Sequence, residues 1–232
     1  MIDITSTTAD TPLPTAASDK PLRRDAERNR QRILDAAREL FAERGLGATL
    51  NDVAHHAGVG VGTVYRRFPD KAQLIEELFQ QRIEEAVALM DAATADPDAW
   101  HGLVGFLTEL AELQAADRAL KEILTSTPDG AQRVCRMRDR LMPGGAELVR
   151  RAQEAGQLRS DIAVTDMPMI QLMLGSLMDA SRDVEPELWR RYLALFLRGL
   201  APDDAPAEPL APGPLSPDQI DPVMANAAQS RR

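Results

Sequence analysis

Apolar residues recur every three to four positions through most of residues 22–200, and no stretch alternates with the period of two that a half-buried strand requires. The chain therefore reads as all-α. Ile33, Ala36, Ala37, Leu40 and Phe41 form the first clean stripe, ended by Gly45 and Gly47. A second helix is expected from Thr49, whose spacing to Asp52 is that of a capping box, with Leu50, Val53, Ala54 and Ala57 facing inward. Gly58 turns the chain into a third helix over about 61–67. At 100° per residue, Val61, Val64 and Phe68 share one side and are expected in the core. Gly62, Thr63 and Arg66 fall opposite, flanked by Arg67 and Tyr65. Pro69 ends this helix, and Asp70, with Gln73 as its box partner, caps a fourth. That helix carries Leu74, Ile75, Leu78, Ile83, Val87 and Met90 to about Thr94, a length of about 36 Å that can join a head to a body.

The second half continues in helices. Asp96-Pro97 is expected to open one with Trp100, Leu103, Val104, Phe106, Leu107, Leu110 and Leu113. A short helix over about 117–125 and a turn at 127–130 follow. Residues 131–155 are helical but contain Pro143-Gly144-Gly145, so they form either one kinked helix or two. Thr165 is expected to cap a helix with Ile170, Leu174, Leu177 and Met178, and Pro186 to open a last one, ended by Gly199. Residues 1–21 and 201–232 lack a period and are rich in Ala, Pro and Asp, and read as disordered tails. Residues 22–70 read as a head that extends along the fourth helix to about 87, and 71–200 as a regulatory and dimerisation body.

Charge sharpens that division. The net charge is -9, yet Lys20 to Lys71 holds eleven Lys/Arg against seven Asp/Glu, leaving 16 basic and 29 acidic residues elsewhere. A basic end on an acidic body suits a DNA-binding head on a body that must not bind DNA. No apolar run approaches the ~18 residues that span a bilayer, and the N-terminal residues lack the basic start and apolar core of a secretory signal. Cys135 is the only cysteine, so neither an intrachain disulfide nor a Cys-based zinc site is expected, and the expected compartment is the cytoplasm. His55 and His56 have no further ligands at metal spacing, and a solvated or core role is expected for them. Gly58-x-Gly60-x-Gly62-Thr63 lacks the Lys-Ser/Thr ending and the preceding strand of a phosphate loop. No nucleophile–base pair is visible, which argues against an enzyme; no metal or cofactor is expected.

Glycine, hydroxyl, guanidinium and phenol on one helix face suit phosphate oxygens and base edges. The run Ile33-Leu34-x-Ala36-Ala37-x-x-Leu40-Phe41, then Gly45, Thr49, Val53-Ala54, Ala57-Gly58-Val59, Gly62-Thr63-Val64-Tyr65, Phe68, Lys71 and Leu74, resembles the DNA-binding head of the TetR family of bacterial transcriptional regulators. The resemblance covers about 27–87, and the stretch from Ala152 to Asp161 is similar to a familiar part of that family's body. Two positions depart: Gly60 stands where the family often has a capping Ser or Thr, and Arg66 where it often has an aromatic residue or His.

The resemblance implies an all-helical homodimer, with a three-helix helix-turn-helix head and a bundle that holds a small-molecule site and the dimer interface. It implies Thr49, Gly62, Thr63, Tyr65, Arg66 and Lys71 as contacts to double-stranded DNA, with Thr49 offering a helix N-terminus to phosphate. Tyr65 has the alternative of a half-buried ring between helices, and Lys71 that of a surface lysine. Arg23, Arg24 and Arg28 suit either a flexible minor-groove arm or simple charge attraction. Trp100, Leu103, Phe106, Leu107, Leu110, Val134, Met137, Leu141, Met142, Met169 and Met173 are pocket candidates, the methionines suiting an adaptable apolar site. Leu174, Leu177, Met178, Tyr192, Leu195 and Phe196 are dimer candidates. Ordinary core packing is the alternative for both sets. The expected function is a repressor released from a near-palindromic operator by a small apolar molecule. An activator or architectural DNA binder is the alternative, and a helical enzyme or protein-binding module the least favoured reading.

Overall fold

A computed structural model describes residues 19–117, 119–120, 123–124, 127, 129–202, 210, 212–216, 218–220 and 222–223; the side chains of 19–23 and of 131 are outside the description. Among these residues the chain is helical and has no strand. The helices are α1 (Asp19–Arg44), α2 (Leu50–His56), α3 (Val61–Arg67), α4 (Lys71–Ala95), α5 (Ala99–Ala116), α6 (Gly130–Glu154), α7 (Asp166–Ser181) and α8 (Leu188–Leu200), with a 3₁₀ turn at Gly45–Gly47.

Two hydrophobic cores divide the molecule. The first gathers Ile33, Leu34, Ala37, Leu40 and Phe41 from α1, Leu50, Val53 and Ala54 from α2, Val64 of α3, Phe68, and Leu74, Ile75 and Leu78 from α4. The second gathers Met90 and Ala93 from α4 with Leu103, Leu107, Leu148, Ala152, Leu174, Trp189 and Leu193. Helix α4 thus belongs to both, as its length suggests. One contribution to the first core crosses the expected boundary: Ala119 and Ile123, beyond α5, are buried in it.

Local signals explain most helix ends. The Thr49 hydroxyl accepts from the Asp52 N–H (3.2 Å), and the Asp52 carboxylate accepts from the Thr49 N–H (2.8 Å), a complete capping box. Asp70 accepts from the Gln73 N–H at 2.8 Å and caps α4. Gly45, Gly58 and Gly156 sit at φ 67°, 62° and 68°, a left-handed backbone that favours glycine.

Several expected ends move. Helix α5 is capped by Asp98, not Asp96; Asp98 accepts from the Trp100 and His101 N–H groups, while Asp96 turns to the Asp98 N–H and the His101 ring. The Thr165 hydroxyl makes no cap bond, and Asp166 accepts from the Ala163 N–H instead. Helix α8 begins after Pro186 and continues through Gly199 to Leu200. Helix α1 begins at Asp19, so Arg24 and Arg28 lie on a helix and not on a flexible arm. Residues 1–18 of the expected N-terminal tail lie outside the described residues. In the expected C-terminal tail, the Leu210 N–H donates to Asp161 (3.1 Å) and Ile220 is fully buried.

Residues 130–154 are one helix with Pro143 inside it. The two glycines after the proline account for its packing. A Cβ on Gly144 would come within 2.4 Å of the Met90 side chain, and one on Gly145 within 3.2 Å of Val164. The lost hydrogen bond at Pro143 is accompanied by close packing of α6 on α4. Glu76 of α4 reinforces this contact by accepting from Arg136 at 2.6 and 3.0 Å, and Arg151 closes the far end by donating to the carbonyls of Thr94 (2.8 Å) and Asp96 (2.7 Å).

Candidate functional site

Helix α3 lies at the surface of the head. Val64 and Phe68 are buried and hold it down. Val61 departs from expectation: it is 46% exposed, beside Tyr65 at 45%. The buried face of α3 is narrower than three inward residues, because only Val64 and Phe68 join the core of the head. The outward arc therefore runs Val61, Tyr65, Gly62, Arg66, with Thr63 partly covered at its margin, its hydroxyl accepting from Arg66 at 3.4 Å. A Cβ on Gly62 would meet nothing within 4 Å, so the backbone there is open to a close-approaching partner. Gly60 begins α3 without a side-chain cap.

The remaining interface candidates divide. Thr49 is exposed at the start of α2, its hydroxyl engaged with Asp52. Lys71 is turned inward: its ammonium donates to the Leu46 carbonyl and lies 5.4 Å from the Phe41 ring centre, and burial lowers its pKa. It pins the 3₁₀ turn to the start of α4, a packing role invisible in spacing alone. Arg24 is exposed, Arg28 pairs with Asp25, and the Arg23 side chain lies outside the described residues. Arg30, Arg32 and Arg38 are spent inside the protein, on Glu77, on the Ala57 carbonyl (2.8 Å) and on Gln81 (3.0 Å). Much of the head's apparent positive excess is thus internal. Arg66 and Arg67 remain exposed on α3. His55 is exposed and His56 pairs with Glu39 at 2.6 Å; among the described residues no group of His, Cys, Asp and Glu could hold a metal.

The body holds a partly open cavity of about 260 Å³. Leu103, Phe106, Leu107, Leu110, Val134, Met137, Leu141 and Met142 line it, as the pattern suggested. Trp100, Met169 and Met173 do not. Helix α7 presents Met167, Pro168, Gln171 and Leu172 to the cavity, and Met169 and Met173 fall on its opposite side. The wall also holds Arg82, Asp117 and Arg138, which sequence patterning missed because charged residues in a helix are ordinarily solvated.

Among the dimer candidates, Leu174 and Met178 are consumed by the body's own core, and Leu177 and Phe196 pack against it. Tyr192 and Leu195 are 41% and 48% exposed, and Met173, at 47%, joins them. Helix α8 therefore carries two apolar stripes, Trp189-Leu193-Leu200 inward and Tyr192-Leu195 outward. No helix among the described residues is long and apolar enough to cross a membrane.

Comparison with known proteins agrees with this architecture. The family model for bacterial regulatory proteins of the tetR family matches residues 33–78, and that for the C-terminal domain of SbtR-like transcriptional regulators matches 96–202. An HTH-type transcriptional regulator of Staphylococcus aureus (strain USA300) is 41% identical over 64 residues, 27% of this chain and 35% of that protein. The chain thus covers about a third of the length of the curated relatives it matches. A TetR transcription regulatory protein from Mycobacterium vanbaalenii superposes with a TM-score of 0.60 at 29% identity, over 78% of this chain and 100% of that one. A TetR transcriptional regulator from Streptomyces coelicolor gives 0.58 at 28%, over 75% and 98%. FadR from Bacillus subtilis, solved in complex with stearoyl-CoA, shares the fold at 18% identity and a TM-score of 0.59, over 73% and 98%.

Proposed function

This chain belongs to the TetR family of bacterial regulatory proteins, and from that premise we propose that it is a ligand-responsive repressor that binds a near-palindromic DNA operator as a homodimer. The observation that carries the DNA reading is the outward arc of α3: Val61, Gly62, Tyr65 and Arg66 contribute nothing to the core and face outward. In this reading Arg66 and Tyr65 reach base edges or phosphate, Gly62 permits close backbone approach, and Val61 offers an apolar contact in the groove. Thr63 and Thr49 stand at the margin, and Arg24 and Arg28 add positive charge along α1. Lys71 is left a structural part. The outward stripes of α7 and α8 pair two protomers, placing two α3 helices about 34 Å apart, one turn of DNA. The cavity admits an effector that favours a spacing unsuited to the operator, and the shift is limited by the effector's differential affinity for the two states.

Selection of genomic duplexes by the purified protein, followed by titration at two salt concentrations, tests the reading. Sequence-specific, salt-sensitive binding is expected. Tyr65→Ala and Arg66→Ala should each weaken it; unchanged affinity and preference in both would refute the assignment of α3. Reporter transcription should fall in the presence of the protein, and a rise would make it an activator.

A further inference from the structure

The cavity is apolar along most of its wall but charged toward one end. Helix α4 runs away from the head, and Arg82 precedes Met90 on the wall by eight residues, roughly 12 Å nearer the head. Asp117, just beyond α5, and Arg138, in the first half of α6, line the same cavity. Arg82 is 7% exposed and pairs with Asp117, itself 8% exposed. Arg82 also donates to Glu85 at 2.6 Å, while its Nε has no hydrogen-bond partner.

Asp117 holds more than Arg82. Its other carboxylate oxygen accepts from the Leu120 N–H at 2.8 Å. Leu120 and Leu124 line the cavity, whereas Ala119 and Ile123 are buried in the head's core. Leu120 and Leu124 are thus cavity wall while Ala119 and Ile123 are head core, and the buried Asp117–Arg82 pair ties the start of this stretch to α4.

We propose that the cavity takes an apolar chain ending in an anionic group, carboxylate or phosphate, and that this group competes with Asp117 for Arg82 and so loosens Asp117 and the neighbouring Leu120 from α4. The proposal rests on reading the cavity as the effector site. Glu85 and Asp139, which pair with Arg82 and Arg138, reach solvent and lie outside the lining, so on the wall itself two guanidinium groups face one carboxylate and a cationic ligand is opposed. A neutral one has no means of exchanging with Asp117. An anion meets a guanidinium fork with a donor still unused, and the buried arginine is never left without a counter-charge during the exchange.

Calorimetric titration of the full chain with dodecanoate, dodecyl phosphate, dodecanol and dodecylamine, all below their micellar concentrations, decides the head group. At least one of the two anions should bind about tenfold or more tightly than the alcohol. The two anionic arms separate carboxylate from phosphate. Arg82→Met should abolish the preference for the anion while leaving dodecanol affinity in place, and Asp117→Asn should strengthen the anion alone. If Arg82→Met does not fold, Arg138→Met supplies the loss-of-preference test, and the wild-type series already decides the charge. Dodecanol binding as tightly as both anions, or dodecylamine tightest, overturns the proposal but leaves the cavity as an effector site. Equal weakening of all four ligands by Arg82→Met also overturns it. If none of the four, nor their octyl and hexadecyl homologues, binds the folded protein, the cavity reading fails with it.

Discussion

Replacing Gly62 by alanine should move stability and DNA affinity in opposite directions. A Cβ at this position meets nothing within 4 Å, and the backbone is not left-handed, so the free protein accommodates the methyl group without strain. Alanine gains about 0.8–1.0 kcal/mol over glycine in a helix interior; as the second residue of α3, Gly62 should yield roughly half, near 0.5 kcal/mol. In a chain of this size that raises the melting temperature by about 1–2 °C. On DNA the methyl group would stand in the space that the α3 backbone needs, and a loss of about tenfold, or 1.4 kcal/mol, is expected. Gly105→Ala is the control. It lies inside α5 with equally open surroundings, so it should stabilise by up to about 1 kcal/mol and leave DNA binding alone. Thermal melts by circular dichroism and anisotropy titrations of a labelled operator duplex measure both quantities. If Gly62→Ala binds DNA as well as the wild type, close backbone approach at this position is wrong.

Other substitutions probe the DNA-facing helix, the outer face of the body and its buried ion pairs. Arg66→Ala should cost about 1–3 kcal/mol and relax preference at one base position if the guanidinium reads a base; a uniform loss with a shallower salt slope would instead mark a phosphate contact. Tyr192→Glu with Leu195→Glu should leave the fold intact and yield monomers in sedimentation, because both side chains lie outside the core; a persisting dimer would place the interface elsewhere. Arg82→Met should destabilise by about 3–5 kcal/mol in denaturant titration by stranding the buried Asp117, whereas Arg82→Met with Asp117→Leu should recover most of that loss. The hydrogen bond from Arg136 holds the Glu76 carboxyl down to about 2 from an ordinary 4.5. Its stabilisation is complete above pH 4.5 and is lost as pH falls through 2, so Glu76→Gln should flatten the acid decline of the melting temperature across that window.

The helical class, the order of helices, the capping box at Thr49 and the inward placement of Val64 and Phe68 were legible along the chain, because they follow from periodicity and from bonds between near neighbours. Most of the cavity's apolar wall was legible for the same reason: Leu103, Phe106, Leu107 and Leu110 recur on one face of one helix. Where periodicity is ambiguous, at the edge of a face, it misplaced residues: Val61 is exposed, and Met169 and Met173 turn from the cavity toward the surface. Contacts between distant segments were not legible along the chain. Gly144 against Met90 explains why a Pro-Gly-Gly run packs as one continuous helix. Lys71 is held by a carbonyl 25 residues earlier. Arg82 finds Asp117 35 residues on, and Ala119 and Ile123 return to a core that otherwise ends at Leu78. Each depends on how helices lie against one another, which a 3.6-residue period along a single helix does not encode.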